Sequence, residues 1–318
     1  MRGRFPSAFT LGLAFLWALP APGAGAAEPE DPPAVVRTLP SPDNRVTIPI
    51  RIDGQGPWNF VVDTGSQRTV LSRDLAERLA LPVRREVTIV SMAGRSSAHT
   101  VAVPRLDYGS VTVERIEAPV LEAANLGAPG LLGLDSLHAK RLLLNFRTGR
   151  MEISDSRRAW RDPNAIIVEA RRRKGQLLLL DSDVNGMKVS IILDTGTHLS
   201  VGNLALMNKL IRKKRAPAFD PVSLLSVTGD TLTGQLGRIA RIRMGSINLT
   251  DMPVMFADAR PFAELGLSDK PALLLGIHAL RMFDRVAIDF GRGKVDFLMP
   301  DGSALNLRHM AAMPRAAG

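Results

Sequence analysis

The sequence predicts an all-β protein built from two copies of one unit, related by a pseudo-twofold axis and carrying a few short helices. Three observations support this. First, an apolar run of strand type ending in Asp-Thr-Gly occurs twice, as Phe60-Val61-Val62-Asp63-Thr64-Gly65-Ser66 and as Ile191-Ile192-Leu193-Asp194-Thr195-Gly196-Thr197. Three consecutive apolar residues indicate a strand buried on both faces. Second, four further landmarks recur in the same order. Ser91-Met92-Ala93-Gly94 matches Ser226-Val227-Thr228-Gly229, and Tyr108-Gly109-Ser110-Val111 matches Met244-Gly245-Ser246-Ile247. Gly130-Leu131-Leu132-Gly133 matches Leu273-Leu274-Leu275-Gly276, and the segment from Asn145 to Ile153 matches Asp289 to Phe297. Third, a hairpin signal precedes each Asp-Thr-Gly: Asp53-Gly54 in the first copy and Asn185-Gly186 in the second.

The spacing between copies grows from 131 residues at Asp63/Asp194 through 135 and 136 to 143 and 144 at the last landmarks. A steady rise is what a duplication with small insertions in the second copy produces.

Taken in order, residues 1–27 have the layout of a secretory signal peptide. A basic start with Arg2 and Arg4 leads into an apolar run from Ala8 to Leu19, and Ala24-Gly25-Ala26-Ala27 supplies a small-residue cleavage site. The expected location is secreted or periplasmic, with the peptide removed; the other reading of this segment is an uncleaved anchor. No later run is long and apolar enough to span a bilayer. Residues 28–44, with Pro29, Pro32, Pro33, Pro40 and Pro42, read as a disordered leader. The first half occupies 45–153. It opens with a strand from Arg45 to Ile52, a turn, and the return strand from Trp58 that delivers Asp63. Asp74 to Leu81 reads as a helix, and the charged, alternating segment around Gly94 reads as two strands joined by a tip. Residues 154–165 lack periodicity and read as a linker. The second half, 166–300, repeats the plan, with a hairpin from Gln176 to Leu193, a helix from Leu204 to Ile211 and a second tip at Gly229. Residues 301–318 form a polar, Ala-rich tail.

The 318 residues are 45% hydrophobic, enough for one large or two small cores. There is no cysteine, so disulfides, a lipid anchor on Cys and thiolate metal sites are excluded. The formal charge is +10. Its local runs, Arg171-Arg172-Arg173-Lys174 and Arg212-Lys213-Lys214-Arg215, fit either solvated faces or attraction to an anionic surface or substrate. No nucleic-acid-binding motif is present. The histidines His99, His138, His198, His278 and His309 lack metal-ligand spacing. His198, four residues past Asp194, reads as structural or as lining a cleft.

The chemistry follows from the repeated motif. Each copy delivers a carboxylate at the end of a rigid buried strand. If the two meet, they cannot both ionise easily, and a shared proton makes one an acid and the other a base. The ionised group takes a proton from a water held between them, while the protonated one donates to a carbonyl oxygen. Neither a metal nor a cofactor is required. Ser66 and Thr197 carry hydroxyls placed to bond the outer carboxylate oxygens, and Gly65 and Gly196 permit close backbone approach.

Each half resembles a retropepsin-type aspartic protease domain, and the whole chain, over roughly residues 45 to 300, resembles the bacterial exported aspartyl proteases that carry two such halves in one polypeptide. The resemblance implies a tandem pair of acid-protease β-barrels with catalytic Asp63 and Asp194. It implies that Thr64 and Thr195 are the crossed threonines that lock the facing loops. It also implies flaps with tips at Met92, Gly94, Thr228 and Gly229, and Gly133 and Gly276 on strands that pack behind the aspartates. Two features depart from relatives of this type. The pepsin-type flap tyrosine is missing, since the only tyrosine is Tyr108, and Ser66 and Thr197 stand where retropepsins usually have Ala.

The function expected is an aspartic endopeptidase acting on extended polypeptide segments, as a monomer with an intramolecular dyad. A catalytically silent peptide-binding or scaffolding protein on the same fold is the alternative. A third arrangement would pair each half with a half from another chain.

Overall fold

The computed structural model describes residues 33–41, 44–137, 140–156 and 162–300. The expected signal peptide and the tail lie outside the described residues, as do most of the linker's centre and His138 and His309.

Two barrel-like halves are joined by a sheet to which both contribute. In the first half the strand order is Leu39–Pro40, Val46–Ile52, Gln55–Val62, Gly130–Leu132, Val70–Ser72, Val111–Leu121, Arg95–Tyr108 and Val83–Val90. A pairing of Arg51 and Ile52 with Asp107 and Leu106 closes it on itself. The second half repeats this core. Ser190–Leu193 runs parallel to Ala272–Leu275, as Val61 and Val62 run parallel to Leu131 and Leu132. The alternating apolar pattern fixes register in both. The turns Asp53-Gly54 and Asn185-Gly186 have positive φ at both central residues, the geometry that two-residue hairpins need. The all-β, two-barrel prediction holds.

Among the described residues the joining sheet has six strands. At its centre Lys140–Asn145 pairs with Arg285–Asp289 across the pseudo-twofold axis. Each is flanked by its own hairpin partner, Arg150–Asp155 or Lys294–Leu298. The outer strands are Ala34–Arg37, on Arg150–Asp155, and Ile166–Arg173, on Lys294–Leu298. The first of these corrects the expectation of a disordered leader over 28–44. Ala34 and Val36 are buried while Val35 and Arg37 face out, the alternation of an edge strand. Ala34–Arg37 is the first-half counterpart of the start of Ile166–Arg173. Proline-rich flanks are compatible with an edge strand, whose outer face needs no donors.

The helices are short. Arg73–Arg78 starts under Ser72, whose hydroxyl accepts from Leu75 N. It ends before the predicted Leu81 because Ala80 turns left-handed at φ 48° and Pro82 follows. Leu204–Arg212 starts under Asn203, which accepts from Leu206 N at 2.9 Å. A helix not foreseen from sequence, Arg260–Glu264, has proline in its first turn. Among the described residues no helix is long and apolar enough to cross a membrane.

One large apolar core runs through both halves, and each half adds a smaller cluster beside its Asp-Thr-Gly strand. The first-half cluster is Val61, Val70, Ala98, Leu121, Leu126 and Leu131. Its second-half counterpart is larger and includes Phe262, Leu265 and Leu267.

Candidate active site

Phe60, Val61, Val62, Ile191 and Ile192 are fully buried, and Leu193 nearly so. Each strand is therefore anchored on both faces before it releases its aspartate. The Leu-Leu-Gly strand fixes the release point: Asp63 N donates to Leu132 O at 3.0 Å, and Asp194 N donates to Leu275 O at 3.1 Å. Just beyond, Leu134 N donates to Ser66 O and Ile277 N to Thr197 O, both at 2.9 Å. Gly133 and Gly276 are needed for this crossing. A Cβ on Gly133 would overlap the backbone of Arg68, and one on Gly276 would lie 2.8 Å from His198 O and Leu199 C.

The two loops face each other across the axis. Thr64 N donates to Thr195 Oγ1 at 3.0 Å and Thr195 N to Thr64 Oγ1 at 3.1 Å. Thr64 Oγ1 donates on to Leu193 O at 3.1 Å, and Thr195 Oγ1 to Val62 O at 2.7 Å. Both threonines are buried, at 2% and 0% exposure, so water does not compete for these bonds. This reciprocal lattice ties the loop of each half to the strand end of the other.

The lattice brings the aspartates together. A Cβ on Gly65 would sit 2.6 Å from Asp194 Oδ1, and one on Gly196 would overlap the Asp63 carboxyl group. Each glycine thus leaves room for the opposite half's carboxylate. Within each loop the backbone holds its own aspartate. Asp63 Oδ1 accepts from Gly65 N at 2.9 Å and Ser66 N at 3.0 Å, and Asp194 Oδ1 accepts from Gly196 N at 2.9 Å.

The expectation that the Ser66 and Thr197 hydroxyls bond the outer carboxylate oxygens is corrected here. Ser66 Oγ donates to Arg68 O at 2.7 Å and Thr197 Oγ1 to Leu199 O at 3.2 Å. In both loops the acceptor is the carbonyl two residues on, so these hydroxyls shape the turn while the peptide N–H groups serve the carboxylates.

Burial pushes Asp63 above the usual carboxylate range, against the pull of the Gly65 and Ser66 N–H groups and of the Arg45 charge. Asp194 is pushed further, to about 7, first by burial and then by the negative charge of Asp63. The pair therefore retains one proton well above the pH at which an exposed aspartate would lose it.

A cleft of about 460 Å³ opens over the pair. The flap hairpins are Val83–Val90 with Arg95–Tyr108, and Asp220–Leu225 with Thr231–Met244. Their tips close the top. Met92 and Val227 line the cleft, and Thr228 Oγ1 lies 3.0 Å from Ser91 Oγ, tip to tip. Each tip also rests on the other half. Arg260 N donates to Met92 O at 3.1 Å, Arg95 pairs with Glu264 at 2.6 Å, and Val227 packs on the first-half cluster. Gly94 and Gly229, expected to play the same part, differ. Gly94 has an ordinary backbone with open space around it, whereas Gly229 has φ +86° and lies close to Asn125. The tips also differ in length, since Ser91 N bonds Gly94 O but Ser226 N bonds Asp230 O. Tyr108 lies outside the tips, as read from sequence, with its hydroxyl donating to Ser136 O at 2.6 Å.

Sequence reasoning missed Arg45 and Gln176. Both are buried and both line the cleft. Gln176 Nε2 donates to Gly65 O at 2.8 Å, so a second-half side chain steadies the first-half loop. Arg45 donates to Leu126 O at 2.6 Å and lowers both aspartates. Their separation equals that of Asp63 and Asp194, and this shared offset was the available signal. His198 also lines the cleft, its ring 5.6 Å from that of His278.

A family model described as aspartyl protease matches the chain twice, over residues 48–136 and 180–279, once in each half. No curated protein matches the chain.

Proposed function

The chain belongs to the aspartyl protease family, and from that premise we propose that it is an endopeptidase in which Asp63 and Asp194 act as one general acid/base dyad. The observation that carries the reading is the reciprocal threonine lattice, with each loop glycine leaving space for the opposite carboxylate. A protein that only bound peptides would have no use for two buried carboxyl groups, one raising the pKa of the other, since their desolvation is costly.

In the proposed reaction the ionised carboxylate removes a proton from a water lying between the two loops. The protonated carboxyl donates to the substrate carbonyl oxygen as the water oxygen adds to the carbon. The protonated carboxyl then gives its proton to the amide nitrogen while the ionised one takes a proton from a hydroxyl of the tetrahedral carbon; the C–N bond breaks, amine and carboxylic acid leave, and the pair again holds one proton. The cleft's form supports extended peptide as substrate, because flap strands offer backbone donors and acceptors along its length. We also propose that the enzyme works as a single chain, supported by the presence of both motifs in one polypeptide. Export, supported by the layout of residues 1–27, belongs to the same reading.

The test is digestion of an unstructured polypeptide by the purified protein, with the Asp63→Asn protein as blank. Cleavage by the parent alone is the expected result. Equal digestion by both would place the activity elsewhere.

A further inference from the structure

The first half holds a second cavity, of about 380 Å³, between the helix Arg73–Arg78, the flap hairpin and the strand Val111–Leu121. It adjoins the cleft over the aspartates, since Leu121, Asn125 and Val227 line both. Its wall includes Ala76, Leu81, Ala98 and Val101. Its exposed rim carries Glu77 and Glu86, neither of which forms an ion pair among the described residues. The one lining cation, Arg73, is already paired with Glu122 at 2.7 Å.

The second half has filled the part of this space beside its flap, while a pocket remains against the equivalent helix, along Leu204, Asn208 and Ile211. Ile89 pairs with Ser96 one step back from the first flap tip, and Leu224 pairs with Leu232 one step back from the second. Ser96 lines the first-half cavity, with its Oγ buried and unpartnered, whereas Leu232 is packed in an apolar cluster with Phe262, Leu265 and Leu267. Those three residues lie in the connection between Ile247–Phe256 and Ala272–Leu275. That connection contains the insertion that lifts the repeat spacing from 136 to 143. Beside the flap, an insertion plugs the second half, and the first half leaves a side pocket.

We propose that this cavity is a substrate subsite for a long basic side chain, lysine or arginine, at one position of the bound peptide. The apolar wall takes the methylene stem, and Glu77 and Glu86 at the rim meet the charged head. The acidic rim stands out on a chain of net charge +10. The inference rests on the reading of the main cleft as a peptide site.

The experiment uses extended peptides that are identical except for lysine, norleucine or glutamate, scanned through each position. Cleavage is measured with the full chain, and binding to the Asp194→Asn protein is measured in parallel by fluorescence anisotropy. At one position lysine should be favoured over norleucine by about fivefold, the worth of a half-exposed ion pair, with glutamate poorest. Glu77→Gln with Glu86→Gln should bring the lysine peptide down to the norleucine one. Ser96→Leu, which copies the second half, should reduce the advantage of either long side chain over alanine at that position. Binding without any lysine preference, no binding at all, or a preference that survives the double substitution would overturn the subsite. Lysine-selective binding without cleavage by the full chain would support the subsite and overturn only the proposed hydrolysis.

Discussion

The two halves agree in the loops and strands that deliver the aspartates and diverge in much of what surrounds them. The crossed threonines, the loop glycines and the Leu-Leu-Gly strands have the same partners at nearly the same distances in both copies. Arg45 is matched by Gln176, Ser96 by Leu232, Asp135 by His278, and a four-residue flap tip by a five-residue one. Even the turn behind the dyad is secured differently. Asp135 Oδ1 accepts from Thr69 N and Thr69 Oγ1 in the first half, whereas His278 has the His198 ring as its neighbour in the second. The difference has a physical logic. Sharing one proton between two carboxyl groups is served by a near-symmetric pair, but a peptide has a direction. After duplication in one chain, the two ends of the cleft no longer have to be the same.

The shared machinery should be the most sensitive to change. Asp63→Asn and Asp194→Asn should each lower kcat/KM by about 10³-fold or more, because either change removes one partner of the proposed general acid/base pair. Unequal losses, with one variant near parental activity, would mean two independent sites. The same variants carry a stability signature. A carboxyl raised to about 7 in the fold from an ordinary value of 3.8 binds its proton more tightly when folded. Its contribution is full below about pH 4 and is lost as pH rises towards 7. Asp194→Asn escapes that loss, so above pH 7 it should be more stable than the parent by about 2 kcal/mol or more. Melting curves at pH 4 and pH 8 check the sign.

Behind the dyad the halves are alike in plan but not in tightness. Gly133 meets the Arg68 backbone more closely than Gly276 meets that of Leu199. Gly133→Ala should therefore destabilise the protein by about 2–4 kcal/mol and Gly276→Ala by about half as much. Denaturant midpoints for the pair measure the difference, and the reverse ranking would break this part of the comparison.

Arg45 tests the electrostatic asymmetry. Its charge favours the ionised form of both aspartates, so Arg45→Gln, which gives the first half the residue of the second, should raise both apparent pKa values. Both limbs of the pH–rate profile should move upward by about half a unit to one unit. The limb midpoints are the readout, since their position does not depend on how much folded enzyme remains.

What was legible in the sequence was largely what had been duplicated. Asp63 and Asp194 stood out because a whole strand and its turn recur around them, and the ordered landmarks then gave the barrels, the flap hairpins and Gly133 and Gly276. The strand Ala34–Arg37 was missed because prolines dominate its neighbourhood, although the second half begins with the same strand. Hydroxyl roles were misjudged at Ser66 and Thr197, since residue type gives a donor but not its rotamer. The side pocket could not be read from sequence at all. Beside the flap it stays open in the first half because the seven extra residues that fold inward belong to the second, and an insertion does not reveal which way it packs.

The smallest expected effects, and the sharpest comparison, are at the flap tips. In sequence Gly94 and Gly229 look equivalent, yet the hydrogen bond that closes each tip ends on Gly94 in one case and on Asp230 in the other. Gly229 thus lies one residue before the position that corresponds to Gly94 in the longer tip. It occupies φ +86°, a conformation that L side chains rarely adopt, and a Cβ there would lie 2.9 Å from Asn125 Nδ2 of the first half. Gly94 has no such constraint; its nearest neighbour to a new Cβ would be Asp230 Oδ2 at 3.9 Å. Gly229→Ala should therefore displace the second tip from its seat on the first half and slow turnover by about three- to tenfold, with a cost of about 1 kcal/mol in stability. Gly94→Ala should leave both within about a factor of two. Measuring kcat/KM and Tm for the two variants side by side decides the matter. Equal effects would mean that both tips rely on glycine flexibility, and that the left-handed Gly229 does not set the second flap's closed position.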